Sequence, residues 1–237
     1  MSNLSCAPAR LLTIAIDGPA GAGKSTVARG VAARLGYTYL DTGAMYRALA
    51  WATQNRGIDP TDHAAIGALA RQIDIRLQPA DSELHPTRVF VDGLEITHEI
   101  RTPEISAITS PISAIPEVRT TMVALQQEMG ARGGIVMEGR DIGTVVFPNA
   151  DVKVFLTASS HRRAERRAAE LEVRGTPIPF AQLVRDIEER DQRDSGRDVA
   201  PMVPAADAVI LDSDSLSADD VVQQIVHWHR EAEQRRG

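Results

Sequence analysis

The sequence is short of cysteine, of lysine and of long apolar runs, and each shortage excludes something. A single cysteine, Cys6, stands in a polar, proline-containing stretch, so neither a disulfide framework nor a cysteine metal site can be built, and a reducing compartment suits it. Met1 to Arg10 holds no apolar h-region, and the run Leu11 to Ile16 is far too short for a signal peptide or a membrane span. The expectation is a cytoplasmic protein with no membrane contact. A formal net charge of -6 argues against a general nucleic-acid binder, which needs a positive surface to displace counterions from phosphates. Of 26 basic residues only Lys24 and Lys153 are lysines. Base composition is the plain explanation of that bias, yet it makes Lys24 informative, because it stands in the most glycine-rich loop of the chain.

What is present is enough for one good-sized core and a small insert: 237 residues, 43% hydrophobic and 24% charged. Leu11 to Ile16 reads as a strand buried on both faces, followed by a glycine loop and a helix with Val27, Val31 and Leu35 at helical spacing. Gly36 stands where that helix should stop. Tyr37 to Leu40 predicts a second strand, and Asp41-Thr42-Gly43 a turn into a helix with Tyr46, Leu49, Ala50 and Thr53 inward. From Gly57 to about Pro103 the texture changes to a short helix (Ala64 to Arg71), a strand (Ile73 to Leu77) and a hairpin around Asp92-Gly93. A helix from Pro116 carries Val118, Met122, Leu125 and Met129, and strands follow at Ile135 to Met137 and Val152 to Leu156. Ser159 caps a helix to about Arg174; a linker with Gly175, Pro177 and Pro179 leads to a second charged helix, about Phe180 to Asp191. Val209 to Leu211 is the last strand, and the final helix starts after Ser217. Strands alternating with helices point to an α/β, doubly wound parallel sheet.

Gly18-Pro19-Ala20-Gly21-Ala22-Gly23-Lys24-Ser25 matches G-x-x-x-x-G-K-[ST] in full, between a buried strand and an amphipathic helix. Glycines let successive backbone N–H groups converge on phosphate oxygens, Lys24 reaches the β and γ phosphates, and Ser25 offers a hydroxyl to Mg²⁺. Thr26 follows in the first helical turn. A nucleoside triphosphate site is the direct expectation. An Asn-Lys-x-Asp element, the usual mark of a guanine-specific GTPase, is missing, since neither lysine follows an asparagine.

Two further segments fall at strand ends that should line the ligand crevice, Asp41-Thr42-Gly43-Ala44-Met45-Tyr46-Arg47 and Glu138-Gly139-Arg140-Asp141. Asp-Thr-Gly also marks aspartic proteases, but those need two such carboxylates and this chain has one. Nine arginines crowd His161 to Arg197. Most should be solvated or paired with neighbouring glutamates, while those bordering the Gly175 linker suit a mobile lid over the triphosphate. His227 and His229, two apart on a helix, point to different faces and are not read as a metal site.

With these residues in view, the chain resembles the bacterial cytidylate kinases from about Leu12 to the final helix. DTGAMYR, EIRTPEIS, EGRDIGTVVFP, ERDQRD and VAPMVPAADAVILD occur in the family's order. The resemblance implies a P-loop NTPase fold, with a parallel five-stranded sheet flanked by helices, a small antiparallel monophosphate-binding insert and a helical lid. Residues 1–10 would be a tail, 11–56 and 104–237 the kinase core with a lid at about 160–197, and 57–103 the insert. It implies transfer of the γ-phosphoryl group of ATP, with Mg²⁺, to CMP or dCMP by a monomer. Thr42, Arg47, Arg140 and Arg197 would hold the acceptor phosphate; Ser110, Arg119 and Asp141 would read cytosine; Arg190 and Asp194 would approach the sugar and the transferring phosphate. Lys24, Arg140, Arg190 and Arg197 would be catalytic, with Arg163 and Arg167 near adenine or the triphosphate. Some members carry serine where this chain has Thr42. Other small P-loop kinases, for UMP, AMP or a hydroxyl-bearing metabolite such as shikimate, stay open at this point, because Asp41 could activate a hydroxyl. A nonenzymatic ATP-binding regulator would keep the P-loop and have no use for a second anion site.

Overall fold

In a computed structural model of the chain, the described residues are 11–78, 87–173 and 175–236. The expected tail at 1–10 with Cys6, the expected helix end at Arg174, residues 79–86 of the insert, and Gly237 lie outside them.

The first strand, β1 (Thr13–Asp17), is buried at every position. That explains its lack of polar alternation: it lies in the middle of a parallel sheet with helices on both faces. The phosphate loop leads into α1 (Lys24–Leu35), which stops at Gly36 in the left-handed conformation. Next come β2 (Thr38–Asp41) and α2 (Thr42–Asn55). The expected turn between them does not exist. Asp41 is both the last residue of the strand and the N-cap of the helix, accepting the Ala44 N–H at 3.0 Å, so Thr42 is already helical.

The insert contains α3 (His63–Gln72), β3 (Ile75–Gln78), β4 (Arg88–Val91) and β5 (Leu94–Glu95), the three strands forming one antiparallel sheet. The strand expected from Ile73 begins later, because the Ile73 N–H still completes α3 by bonding Leu69 O at 3.0 Å. Asp92 and Gly93 both have positive φ (50° and 83°), as a two-residue hairpin loop between β4 and β5 requires. After one turn of 3-10 helix at Glu99–Arg101 comes α4 (Pro103–Ile112), a helix the sequence reading did not foresee. Thr102 caps its start, and Pro111 is tolerated because it sits in the last turn.

The remaining elements are α5 (Pro116–Gly130), β6 (Ile135–Gly139), a π-helical turn (Ile142–Val146), β7 (Val152–Thr157), α6 (Ser160–Val173), α7 (Phe180–Ser195), β8 (Val209–Asp212) and α8 (Ala218–Arg236). Ser159 caps α6 as expected, accepting the Arg162 N–H at 3.2 Å, whereas α7 runs a full turn beyond Asp191. The large sheet is parallel throughout, in the order β2-β6-β1-β7-β8. On one face Val27 and Val31 of α1 pack with Val221, Val222 and Ile225 of α8. On the other, Met45 and Leu49 of α2 share a core with Met122 of α5 and with Ile66, Val89 and Ile100 of the insert. The insert is therefore rooted in the main core. The C-terminal ends of β1, β2 and β6 come together at one edge, where ligands bind in open α/β sheets.

Candidate active site

The phosphate loop has the backbone that its glycines allow. Gly18, Gly21 and Gly23 have φ of 141°, 79° and 94°, and a Cβ on Gly18 would lie 2.0 Å from the Leu156 carbonyl oxygen. Lys24 opens α1, is buried, and folds back so that Nζ donates to the Pro19 carbonyl at 2.7 Å. Burial, and then the neighbouring Arg140, lower its ammonium to about 7, against the pull of Glu138 and Asp17. Ser213 Oγ, donating to the Ala22 carbonyl at 3.2 Å, braces the loop from β8.

A cavity of about 650 Å³ opens beside this loop, walled by Ala20, Gly21, Gly23, Lys24, Ser25 and Thr26 and, from α6 and α7, Arg163, Arg167 and Arg190. Gly18, Pro19 and Ala22 shape the loop and do not line this cavity. Arg163 is not a free cation. It donates to Ala20 O at 3.1 Å and Ala158 O at 3.0 Å, and holds Asp191 through both terminal nitrogens at 3.1 and 2.5 Å. Its position makes it a strut between α6, α7 and the loop. Arg167 pairs with Glu170 at 3.0 Å.

A second cavity, of about 320 Å³, adjoins the first and shares Lys24 and Ser25 with it. All nine residues expected on the acceptor side line it: Thr42, Arg47, Ser110, Arg119, Arg140, Asp141, Arg190, Asp194 and Arg197. They come from α2, α4, α5, α7 and the segments just beyond β6 and α7, so only the fold brings them together. Thr42 Oγ1 donates to the Glu138 carbonyl at 2.7 Å, and Arg47 to Asp41 at 2.7 Å. Asp194 is a hub, taking Arg140 Nε at 2.9 Å and Arg197 Nη2 at 2.5 Å, with Arg190 Nε 4.0 Å away. Asp141 pairs with Arg119, both buried. Ser113 links the two groups, its carbonyl accepting from Arg119 at 3.3 Å and its hydroxyl from Arg197 at 3.1 Å.

The electrostatics follow from crowding cations into a buried space. Burial and then Arg140 bring Arg190 down to about 10. Burial works against the ionised Asp194, yet Arg140 and Arg197 hold it below the usual carboxylate range. At Asp141 burial prevails over Arg119 and the carboxyl is raised. Burial also opposes ionised Asp41, but Arg47, Arg101 and the Ala44 N–H outweigh it and keep the group low. The site is thus an excess of positive charge awaiting an anion.

Three residues here were given no role from sequence, although Glu138 stood in a segment expected at the crevice. Arg101 lines both cavities, and its buried Nε has no hydrogen-bond partner; it lay in plain view inside EIRTPEIS. Glu138, the next-to-last residue of β6, lies near Lys24 and accepts a hydrogen bond from Tyr39, with burial and then Asp41 raising its carboxyl. Asp17 ends β1, and burial pushes it up to about 6. Among the described residues no cluster of three or more histidine, cysteine, aspartate or glutamate side chains could hold a metal ion. His229 is buried and hydrogen-bonds Tyr37 at 2.8 Å, while His227 stands exposed against Glu231, so the two do point to different faces.

Comparisons with known proteins identify relatives of the chain. Residues 14–231 match the family described as cytidylate kinase. A bifunctional pantoate ligase/cytidylate kinase from Synechococcus sp. (strain JA-2-3B'a(2-13)) is 49% identical over 236 residues, covering 100% of this chain and 44% of the relative. A cytidylate kinase from Desulfitobacterium hafniense (strain Y51) is 49% identical over 215 residues, 91% of each chain. The chain spans less than half the length of the bifunctional relative it matches. Among solved structures, a shikimate kinase from Acinetobacter baumannii aligns over 92% of both chains at 17% identity, with a TM-score of 0.44. With a family match across nearly its whole length and a half-identical relative of the same size, the chain belongs to the cytidylate kinase family.

Proposed function

We propose that this chain transfers the γ-phosphoryl group of ATP to CMP or dCMP, giving ADP and CDP or dCDP. The observation that carries the reading is the pair of adjoining cavities, one at a phosphate loop and one walled by seven arginines. A phosphate acceptor is already anionic, so it needs alignment and neutralisation rather than a base. Lys24 would stay with the β and γ phosphates, Arg47, Arg140 and Arg197 with the acceptor phosphate, and Arg190 and Asp194 between the phosphate and the sugar. Ser110, Arg119 and Asp141 would meet the cytosine edge. The rival, a hydroxyl acceptor activated by Asp41, loses ground because that carboxylate is tied to Arg47 and the Ala44 N–H and is held low.

Mg²⁺ fits as a guest of the nucleotide. The Ser25 hydroxyl is a hard oxygen donor at the loop, and phosphate oxygens and water would complete an octahedral shell around the ion. When bound it would neutralise charge on the transferring group. The insert at 57–103 is read as the monophosphate-binding unit, and α6 with α7, about 160–197, as the lid. No helix among the described residues is long and apolar enough to cross a membrane; a cytoplasmic setting and a monomeric state belong to the same proposal.

A coupled ADP-release assay across CMP, dCMP, UMP, AMP and GMP tests the function. CMP and dCMP should exceed AMP and GMP in kcat/KM by about a hundredfold. Comparable rates with all five, or no transfer at all, would reject it.

A further inference from the structure

Asp17 lines neither cavity, yet it is the buried last residue of β1, directly before Gly18. Its Oδ1 accepts the Ile142 N–H at 2.8 Å and its Oδ2 the Gly143 N–H at 2.7 Å. Those amides open the π-helical turn Ile142–Val146, and the first N–H groups of a helical turn have no acceptor inside it. The residue in the N-cap position is Asp141, a type that ordinarily takes the second or third amide of such a turn, here Gly143 or Thr144, with its own side chain. Here Asp141 makes no capping hydrogen bond. Its carboxylate pairs instead with Arg119 in the wall of the acceptor cavity.

We infer that Asp17 is a positioning residue for the acceptor site: it caps the 142–146 turn from another strand and so leaves the Asp141 carboxylate free for Arg119 and the acceptor base. An aspartate at an N-cap beside unmet amides folds back onto them. Asp17, 125 positions before Ile142, occupies those amides and removes the competing arrangement. Because β1 runs straight into the phosphate loop, the same carboxylate fixes the spacing between the donor loop and the acceptor wall. The charged groups around it are Asp141, which opposes its ionised form, and Lys24, which favours it, with the stem of Lys153 against Gly143. The inference rests on the reading of Asp141 as the group that meets cytosine.

Asp17→Asn keeps the shape but offers one acceptor and one donor to two N–H groups, so one of the two bonds is lost. The KM for CMP should rise by about tenfold and the CMP-to-UMP ratio of kcat/KM should narrow by a similar factor, with the Kd for ATP within about twofold of the wild type. In an Asp141→Asn background the further loss caused by Asp17→Asn should shrink to about twofold, since no carboxylate remains to be held. Equal weakening of ATP and CMP, or full additivity of the two substitutions, overturns the inference. A second measurement needs neither turnover nor an Asp17 variant. In Asp141→Asn the amides of Ile142 and Gly143 should exchange as slowly as in the wild type, because Asp17 is their cap; fast exchange there makes Asp141 the cap and overturns the inference by itself. A wild type with no preference for CMP over UMP overturns the base-reading role of Asp141, while the amide experiment still decides whether Asp17 is the cap.

Discussion

Lys24 offers a prediction whose size can be worked out from its surroundings. In the free chain its ammonium is enclosed by protein and faces Arg140 and Arg190, and it titrates at about 7 instead of the usual 10.5. At pH 8, one unit above that value, roughly nine in ten molecules carry a neutral Lys24. A bound triphosphate supplies the negative charge that the site lacks, so the ammonium becomes the favoured form again. Binding should therefore take up about 0.9 proton at pH 8 and about half a proton at pH 7. The terminal phosphate of the nucleotide titrates near 6 and contributes little at pH 8. Titration calorimetry with a non-hydrolysable ATP analogue and Mg²⁺, in two pH 8 buffers of different ionisation enthalpy, reads the number directly. Lys24→Met should bring it to near zero. The sign extends to stability: between about 7 and 10.5 the unfolded chain binds more protons at this lysine than the folded one, so its contribution makes the free protein more stable as pH rises through that window. Proton release on binding, or uptake that survives in Lys24→Met, would refute the reasoning.

Further outcomes follow from the same geometry. Lys24→Met should lower kcat by on the order of a hundredfold or more while circular dichroism stays that of a folded chain. Arg119→Ala strips the buried Asp141 of its counter-charge; urea unfolding should show a loss of about 3 kcal/mol, and the CMP-to-UMP ratio should narrow. A gain in stability would mean the pair is not formed. Gly18→Ala must push a methyl into the Leu156 carbonyl at a φ that L-residues avoid. It should cost several kcal/mol, roughly 3 or more, and abolish ATP binding, and a normal Tm would contradict the packing described here. Hydrogen exchange across α6 and α7 should slow when both nucleotides bind, and unchanged exchange there with slowing elsewhere would remove the lid.

What could be read from the sequence was what local pattern encodes. The phosphate loop was legible because strand, glycines, lysine and helix are consecutive, and the Asp92-Gly93 hairpin because two left-handed residues in a row leave few alternatives. Of the second cavity's wall, Thr42, Arg47, Arg140 and Asp141 were legible from their strand-end positions, and the rest only through the order of five motifs. Nothing local in Arg119 or Asp194 says that one meets Asp141 and the other gathers Arg140 from just past β6, Arg190 of α7 and Arg197 from just past α7. Elements stabilised from afar were missed or shortened. The turn at Ile142–Val146 takes its cap from Asp17, and α7 continues past Asp191 where Asp194 is held by Arg140. Arg101 follows no periodicity that would have separated it from a solvated arginine.

The pair α6 and α7 buries Ala164, Leu171 and Leu183 in a small core of its own. It reaches the phosphate loop and the end of β6 through polar joins: Arg163 to the Ala20 carbonyl, Arg166 to Ser213, and Asp194 to Arg140. Removing apolar surface from water is what gives a motion its heat capacity, and joins of this kind carry little of it. Charged joins feel dissolved ions instead, over a range of about 8 Å at physiological ionic strength. The hold of these two helices on the phosphate loop and on Arg140 is thus set by the ionic medium far more than by temperature, and a rise in salt should loosen them first.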